Sequence, residues 1–203
     1  MNIPENPPSF IARTEMEKAA FSNGYRLNLG TEHGWLHRAS TTSRGDLWLG
    51  AASGKGPWLL SVARSEVSAE LDARHSLGLP GPGTTSFTFS SLGELYAALD
   101  RVYHLGVSLP TAPLEAFEKA TAALPKSTEA EQLIVRRVGQ DLFRQALVSY
   151  WKGRCPLTGI VDPALLRASH IVAWTDCKSD AQRLDVHNGL LLSPCGTPPS
   201  TKA

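Results

Sequence analysis

The chain has 203 residues, of which 42% are hydrophobic and 19% charged, a composition that is ordinary for a globular protein. This length suffices for one large domain or two small ones. A formal net charge of +1 argues neither for nor against a nucleic-acid partner. The sequence contains no run of 18 or more apolar residues and no secretory signal, so we expect a cytoplasmic protein without a membrane span.

The three cysteines are Cys155, Cys177 and Cys195, and no two of them have Cys-x-x-Cys spacing. A small, odd number of cysteines does not favour a disulfide framework. A structural zinc site with four ligands would need paired cysteines or histidines, which are absent. We expect Cys155 to pack as a small apolar residue, with metal binding there as the less favoured alternative.

The N-terminal half predicts a small α+β domain with an antiparallel sheet over residues 13–110, after a disordered lead-in at 1–12. Two apolar runs, 47–49 and 58–62, flank a segment rich in glycine and serine, which is typical of strand, loop and strand. A short alternating strand at 86–90 and a helix at 92–105 follow. Four aromatic residues in these strands could form a base-stacking pocket, although strand aromatics more often belong to the core: Trp48, Trp58, Phe87 and Phe89.

A proline-interrupted linker with room for one short helix is predicted at 111–127, followed by a long amphipathic helix that ends near Gly153. Thr128 and Glu131 have the spacing of a capping box. Residues 136–154 carry five basic residues and one acid, a local charge of +4. These residues and one further arginine are candidate DNA contacts, with a solvated helix face as the alternative: Arg136, Arg137, Arg144, Lys152, Arg154 and Arg167.

Three short motifs follow in order: Cys-x-x-Thr-Gly from Cys155, Ala-Ser-His-Ile-Val-x-Trp around His170, and Asn-Gly-Leu-Leu-Leu from Asn188. Together with the preceding helix, residues 128–194 resemble the HNH endonuclease family, in particular bacterial restriction-type members. The resemblance implies a ββα hairpin around one divalent metal ion, with Mg²⁺ expected, and DNA as the partner. Since three motifs occur in the family's order, we interpret residues 128–194 as an HNH-like nuclease region.

The resemblance implies that His170 acts as the general base on a water molecule, which suits the ordinary pKa of histidine. It implies that Asn188 fixes the loop that aims His170. Either His170 or His187 is the candidate metal ligand. The alternatives are a hairpin histidine bonded to a backbone carbonyl for His170, and a plain Asn-Gly turn for Asn188.

Two departures from the family pattern weaken the expectation of activity. Ser169 stands where many members carry an acidic metal ligand. The last residues, 195–203, hold two prolines and a glycine and cannot form the family's closing helix with its metal-binding histidine. We therefore expect a non-family tail, an incomplete ββα-metal hairpin and a poorly covered apolar run at 190–192.

The sequence thus predicts an α+β protein with an N-terminal antiparallel sheet, a long linking helix and an incomplete C-terminal nuclease hairpin. The predicted function is an HNH-type, metal-dependent DNA endonuclease whose cleavage is impaired. The alternatives are a catalytically inactive DNA-binding remnant of such a nuclease and an unrelated interaction domain.

Overall fold

A computed structural model describes residues 3–72, 81–109, 111–125 and 127–194. It confirms the α+β fold class. The chain divides into two compact units, residues 1–106 and 107–203. The elements of the first unit are α1 (Phe10–Ser22), β1 (Leu27–Glu32), β2 (Trp35–Ala39), β3 (Leu47–Ala51), β4 (Trp58–Val62), α2 (Ser65–Ala69), β5 (Thr85–Phe89) and α3 (Leu92–Ser108), whose last two residues pass the boundary. Those of the second unit are α4 (Thr111–Thr121), α5 (Glu129–Tyr150), β6 (Arg167–His170), α6 (Asp180–Leu184) and β7 (Gly189–Leu192).

The first unit is built on an antiparallel sheet whose strands follow one another in chain order from β1 to β5. His33 and Gly34 join β1 to β2, and both have positive φ, as a tight hairpin turn requires. Helix α1 packs against β2 and β3. Leucine is the commonest residue in the core of this unit, and its core leucines have no solvent exposure, including Leu36, Leu47, Leu49, Leu59 and Leu60.

Three of the four strand aromatics belong to this core. Trp58, Phe87 and Phe89 are 2%, 2% and 5% exposed, so they cannot form a base-stacking surface. Trp48 is half-buried and stacks on His37 with ring centroids 4.6 Å apart. The core interpretation is therefore confirmed for Trp58, Phe87 and Phe89.

Helix α1 begins within the segment that we predicted to be a disordered lead-in, so that prediction is wrong from Phe10 onward. The Oγ of Ser9 accepts a hydrogen bond from the backbone N–H of Ala12 and caps the helix. Ala12 and Met16 have no solvent exposure. The sequence pattern is weak here because the buried face of α1 is made mostly of alanine.

The second unit contains α4 in the segment that we predicted to be a linker, where Phe117 is buried and the helix packs against α5. Helix α5 has the predicted capping box. The Oγ1 of Thr128 accepts from the N–H of Glu131 at 3.3 Å, and the Glu131 carboxylate accepts from the N–H of Thr128 at 3.0 Å. Gly153 follows the helix with φ of 64°.

Strands β6 and β7 form an antiparallel hairpin in which His170 lies opposite Gly189, and α5 packs against both strands. Leu191 and Leu192 are 0% and 3% exposed, so the expectation of a poorly covered apolar run is wrong for these two residues. The predicted tail at 195–203 lies outside the described residues. Among the helices of the described ranges, none is long and apolar enough to cross a membrane.

Candidate functional site

His170 is the last residue of β6, and its half-buried ring lies between two aromatic side chains. It stacks on Phe143 of α5 with ring centroids 3.7 Å apart and planes inclined by 19°. Trp174 meets the same ring edge-on at 5.5 Å. The close approach of α5 depends on Gly189, since a Cβ there would lie 2.4 Å from the Cζ of Phe143. Two aromatic side chains thus fix the position of the imidazole, and the glycine on the facing strand leaves room for one of them, Phe143.

The imidazole of His170 forms a hydrogen bond between Nε2 and the backbone oxygen of Arg183, at 2.8 Å. A carbonyl oxygen only accepts, so Nε2 carries the hydrogen and Nδ1 of the neutral ring carries the lone pair. Burial lowers the pKa of His170, and the bond to the Arg183 carbonyl opposes that shift without cancelling it. His170 therefore combines the geometry of a hairpin histidine bonded to a carbonyl with a neutral ring that can accept a proton at Nδ1.

The side chain of Asn188 closes the loop at 171–188 that joins the two strands of the hairpin. Its Oδ1 accepts from the N–H of Val172 at 2.9 Å, while Nδ2 donates to the oxygen of Gln182 at 3.1 Å. Its backbone oxygen accepts from the N–H of Ile171. Asn188 also ends a 3₁₀ turn, Val186–Asn188, rather than forming a two-residue Asn-Gly turn. The geometry is that of a residue that fixes the loop next to His170.

His187 is exposed, and its ring binds the carboxylate of Asp185. Its Nδ1 lies 3.0 Å from the Oδ1 of Asp185, and its ring meets Tyr150 edge-on at 5.8 Å. The same carboxylate oxygen accepts from the backbone N–H of His187. His187 remains a predicted metal ligand that has one ring nitrogen committed to Asp185.

The side chains around His170 do not fit a divalent metal ion by themselves. Within the described ranges, no group of three or more histidine, cysteine or acidic residues could hold one. Asp185 is bound to His187, and Asp180 pairs with Arg183 at 2.8 Å. Ser169 offers no carboxylate next to His170. One or two carboxylates are the usual protein ligands of Mg²⁺, and the carboxylates of Asp180 and Asp185 are already paired with side chains of the same loop.

Cys155 is buried at the start of the turn 155–159, but its polar contacts differ from the predicted packing as a small apolar residue. Burial raises the pKa of its thiol, but hydrogen bonds outweigh this and lower the pKa to about 6. They come from the Thr158 side chain and from backbone N–H groups at Thr158, Ser193 and Leu157. Thr158 also shares a hydrogen bond with the Ser193 hydroxyl at 2.9 Å. This turn therefore holds the end of β7 through polar contacts that the sequence did not reveal.

The six candidate DNA-binding residues fall into two groups. Three of the arginines donate to backbone oxygens of their own unit: Arg144 to Leu166 and Pro163, Arg154 to Gly159, and Arg167 to Ala164 and Leu166. Arg136, Arg137 and Lys152 are exposed. Of the arginines, Arg144 is half-buried and ties α5 to the segment before β6, which is a structural role irrespective of any contact with DNA.

Comparison with known proteins relates the C-terminal segment to one family. Residues 155–195 match the family model described as HNH endonuclease. The resemblance predicted from the motifs at Cys155, His170 and Asn188 is thereby confirmed, and the C-terminal segment is related to a nuclease family. The long helix before residue 155 lies outside this match. A search of curated proteins finds no match to the chain.

The residues that contact the His170 ring were not predicted from the sequence. Phe143 and Trp174 pack around His170, and Arg183 both bonds to its ring and pairs with Asp180. Phe143 lies on the predicted amphipathic helix and Trp174 in the motif around His170, but neither pattern indicated a contact with the ring. The sequence pointed to Arg183 only through its position within the HNH-like segment. Two of its three acceptors are backbone oxygens, which no residue pattern identifies.

Proposed function

We propose that the hairpin of β6 and β7 is an HNH-type site for hydrolysis of phosphodiester bonds in DNA, with His170 as general base and with impaired cleavage. The observation that carries this proposal is the hydrogen bond from Nε2 of His170 to the Arg183 carbonyl, which leaves the lone pair on Nδ1. A base in this position accepts the proton of a water molecule as the water oxygen attacks phosphorus.

The surroundings of His170 suit this proton transfer in two ways. Because burial lowers its pKa, the neutral form of the ring, which can accept a proton, is favoured. When Nδ1 takes the proton, the ring becomes a cation, and its Nε2–H bond to the carbonyl strengthens because the donor is then charged. The leaving oxygen takes its proton from solvent, which balances the reaction.

We propose impaired cleavage because the described residues lack a set of metal ligands. In this family a divalent ion offsets the charge that develops on the leaving oxygen. Mg²⁺ remains the expected ion. Ser169 and the paired carboxylates of Asp180 and Asp185 do not supply such a set. A site with a placed base but weak metal binding is expected to cut slowly.

The test is nicking of supercoiled plasmid DNA with Mg²⁺ or Mn²⁺ by the full chain and two variants. His170→Ala removes the proposed base. His33→Asn is the matched control, since it removes an exposed histidine from a turn of the first unit and keeps a residue that tolerates positive φ. We expect slow nicking by the unmodified protein and by His33→Asn, and its loss in His170→Ala. Nicking that persists in His170→Ala would overturn the proposal.

A second candidate function is DNA binding without cleavage, which the incomplete ligand set favours. The exposed Arg136 and Arg137 on α5 are its candidate phosphate contacts. Retention of DNA that weakens with salt, together with no nicking in either metal, would support this candidate. In that case Arg136→Ala with Arg137→Ala should lower the salt dependence by about two phosphate contacts, whereas Lys55→Gln should leave it unchanged.

A further inference from the structure

The guanidinium group of Arg183 donates hydrogen bonds to three points of the loop at 171–188. Nε donates to the oxygen of Trp174 at 3.1 Å, and Nη2 donates to the oxygen of Cys177 at 2.9 Å. Nη1 donates to the Oδ1 of Asp180 at 2.8 Å. Each of the three guanidinium nitrogens is thus bonded to a different point of one loop. The planar fork of arginine makes such a set of bonds geometrically specific.

The same residue bonds to His170 through its backbone. The carbonyl of Arg183 accepts the Nε2–H of His170 at 2.8 Å. Arg183 belongs to α6, Asp180–Leu184, and a helix of five residues is too short to hold its own orientation. The direction of the Arg183 carbonyl therefore depends on contacts that fix α6 within the loop.

We propose that Arg183 is a positioning residue that selects the tautomer of His170. Its guanidinium fixes the segment from Trp174 to Arg183, and this fixes the carbonyl that holds the hydrogen on Nε2. Nδ1 is then the basic nitrogen of the neutral ring. The catalytic meaning of this arrangement rests on the proposed function, but the tautomer is a property of the protein without DNA.

The alternative role for an arginine at a nuclease site is direct binding of a phosphate. The guanidinium of Arg183 is half-buried, with 26% of the side chain exposed, and it already donates to three protein acceptors. Binding a phosphate would require exchange of these bonds and release of the loop. The geometry therefore favours positioning over phosphate contact.

The experiment is nuclear magnetic resonance of the imidazole nitrogens in protein labelled with ¹⁵N-histidine, without DNA or metal. The His170 signals are assigned by their loss in His170→Ala. Arg183→Gln removes the charged fork. Lys178→Gln is the matched control, because it removes one positive charge from an exposed position of the same loop. Asp180→Asn weakens only one of the three guanidinium bonds at another exposed position.

We expect the Nε2–H tautomer of His170 to predominate in the unmodified protein and in Lys178→Gln. In Arg183→Gln its ratio to the Nδ1–H tautomer should fall about fivefold, as expected for loss of one neutral hydrogen bond. In Asp180→Asn the ratio should fall by a smaller factor, about twofold, which tests the idea even if Arg183→Gln does not fold.

An unchanged tautomer ratio in folded Arg183→Gln would overturn the proposal. So would an unchanged ratio in Asp180→Asn if Arg183→Gln is unfolded, or a predominant Nδ1–H form in the unmodified protein. None of these signals depends on cleavage. A protein that shows the expected tautomers and never nicks DNA would contradict the proposed function while leaving this role of Arg183 intact.

Discussion

The five-stranded sheet of the first unit and the two-stranded hairpin of the second are stabilised by different kinds of contact. On β4 every residue is buried, and leucines of neighbouring strands form the core. The hairpin has only four paired residues in each strand. Side chains bonded to backbone groups hold its loop and its flanking segments, chiefly those of Arg144, Arg183 and Asn188.

The two kinds of contact make each unit sensitive to different substitutions. Apolar burial depends on the area removed from water, so the sheet tolerates changes that keep volume and apolar character. Polar anchoring depends on individual donors and acceptors, and the loss of one partner leaves a group without its bond. The first unit should respond to loss of volume, and the loop of the hairpin to loss of single polar atoms.

The largest effect should come from truncation of a core leucine in the sheet. Leu60→Ala in β4 removes a side chain without solvent exposure and leaves a cavity, which costs about 2–5 kcal/mol. Leu29→Ala on β1 is the matched control, because that side chain is 51% exposed, and its effect should stay within about 0.5 kcal/mol. The free energy of unfolding from denaturant titration measures both. Equal costs would remove the basis of the comparison.

A smaller loss of stability is expected from a substitution at the contact between the hairpin and α5. Gly189→Ala places a Cβ 2.4 Å from the Cζ of Phe143 and should destabilise the second unit by about 1–3 kcal/mol through overpacking. Hydrogen exchange of the β6 and β7 amides is the measurement. Gly93→Ala is the control, because the nearest atom to its added Cβ is the Oγ of Ser91 at 3.9 Å. Unchanged exchange in the hairpin of Gly189→Ala would refute the close packing.

Loss of the Asn188 side chain, which bonds to the backbone of the loop at two points, should have a more local effect. Asn188→Ala removes the acceptor of the Val172 N–H and the donor to Gln182. We expect a cost of about 1 kcal/mol, seen as roughly fivefold faster exchange at Val172. Lys178→Ala in the same loop should leave this rate unchanged. If both variants exchange alike, the loop does not depend on Asn188.

The capping box of α5, the hairpin and the region of the nuclease motif could all be predicted from the sequence. Each depends on neighbours in the chain or on a motif of fixed order. Asn188 could be assigned to the loop from its motif, but its partners Val172 and Gln182 could not be named. Arg183 was missed because its acceptors are set by the tertiary path of the loop.

Two helices show why other parts of the fold were predicted poorly: α1 was not predicted, and α4 only as one short helix within a linker. The buried face of α1 is made largely of Ala12, Ala19 and Ala20, which give little contrast in an apolar pattern. In α4, Pro113 was taken as an interruption. It lies in the first turn, where a proline lacks only an N–H that has no partner within the helix.

The smallest effect should be the dependence of stability on pH. The pKa of His170 is lowered in the folded protein by burial, so near pH 6.5 the unfolded chain binds the proton more readily. The contribution of neutral His170 to the free energy of unfolding is therefore complete above pH 6.5. It is lost as the pH falls towards the lower pKa that His170 has in the folded protein. His170→Gln should abolish this part of the slope in denaturant titrations at several pH values. An identical slope in both proteins would contradict the shift.

Rescue of His170→Ala by added imidazole tests most directly the claim that His170 is the proton acceptor. Loss of a general base typically slows a reaction about 100- to 10,000-fold. We predict that His170→Ala loses nicking of plasmid DNA with Mg²⁺ or Mn²⁺, and that imidazole restores part of it by occupying the space beside Phe143. Imidazole should not accelerate the unmodified protein or His33→Asn. Nicking by His170→Ala at the rate of the unmodified protein, without imidazole, would contradict the role of His170 as proton acceptor.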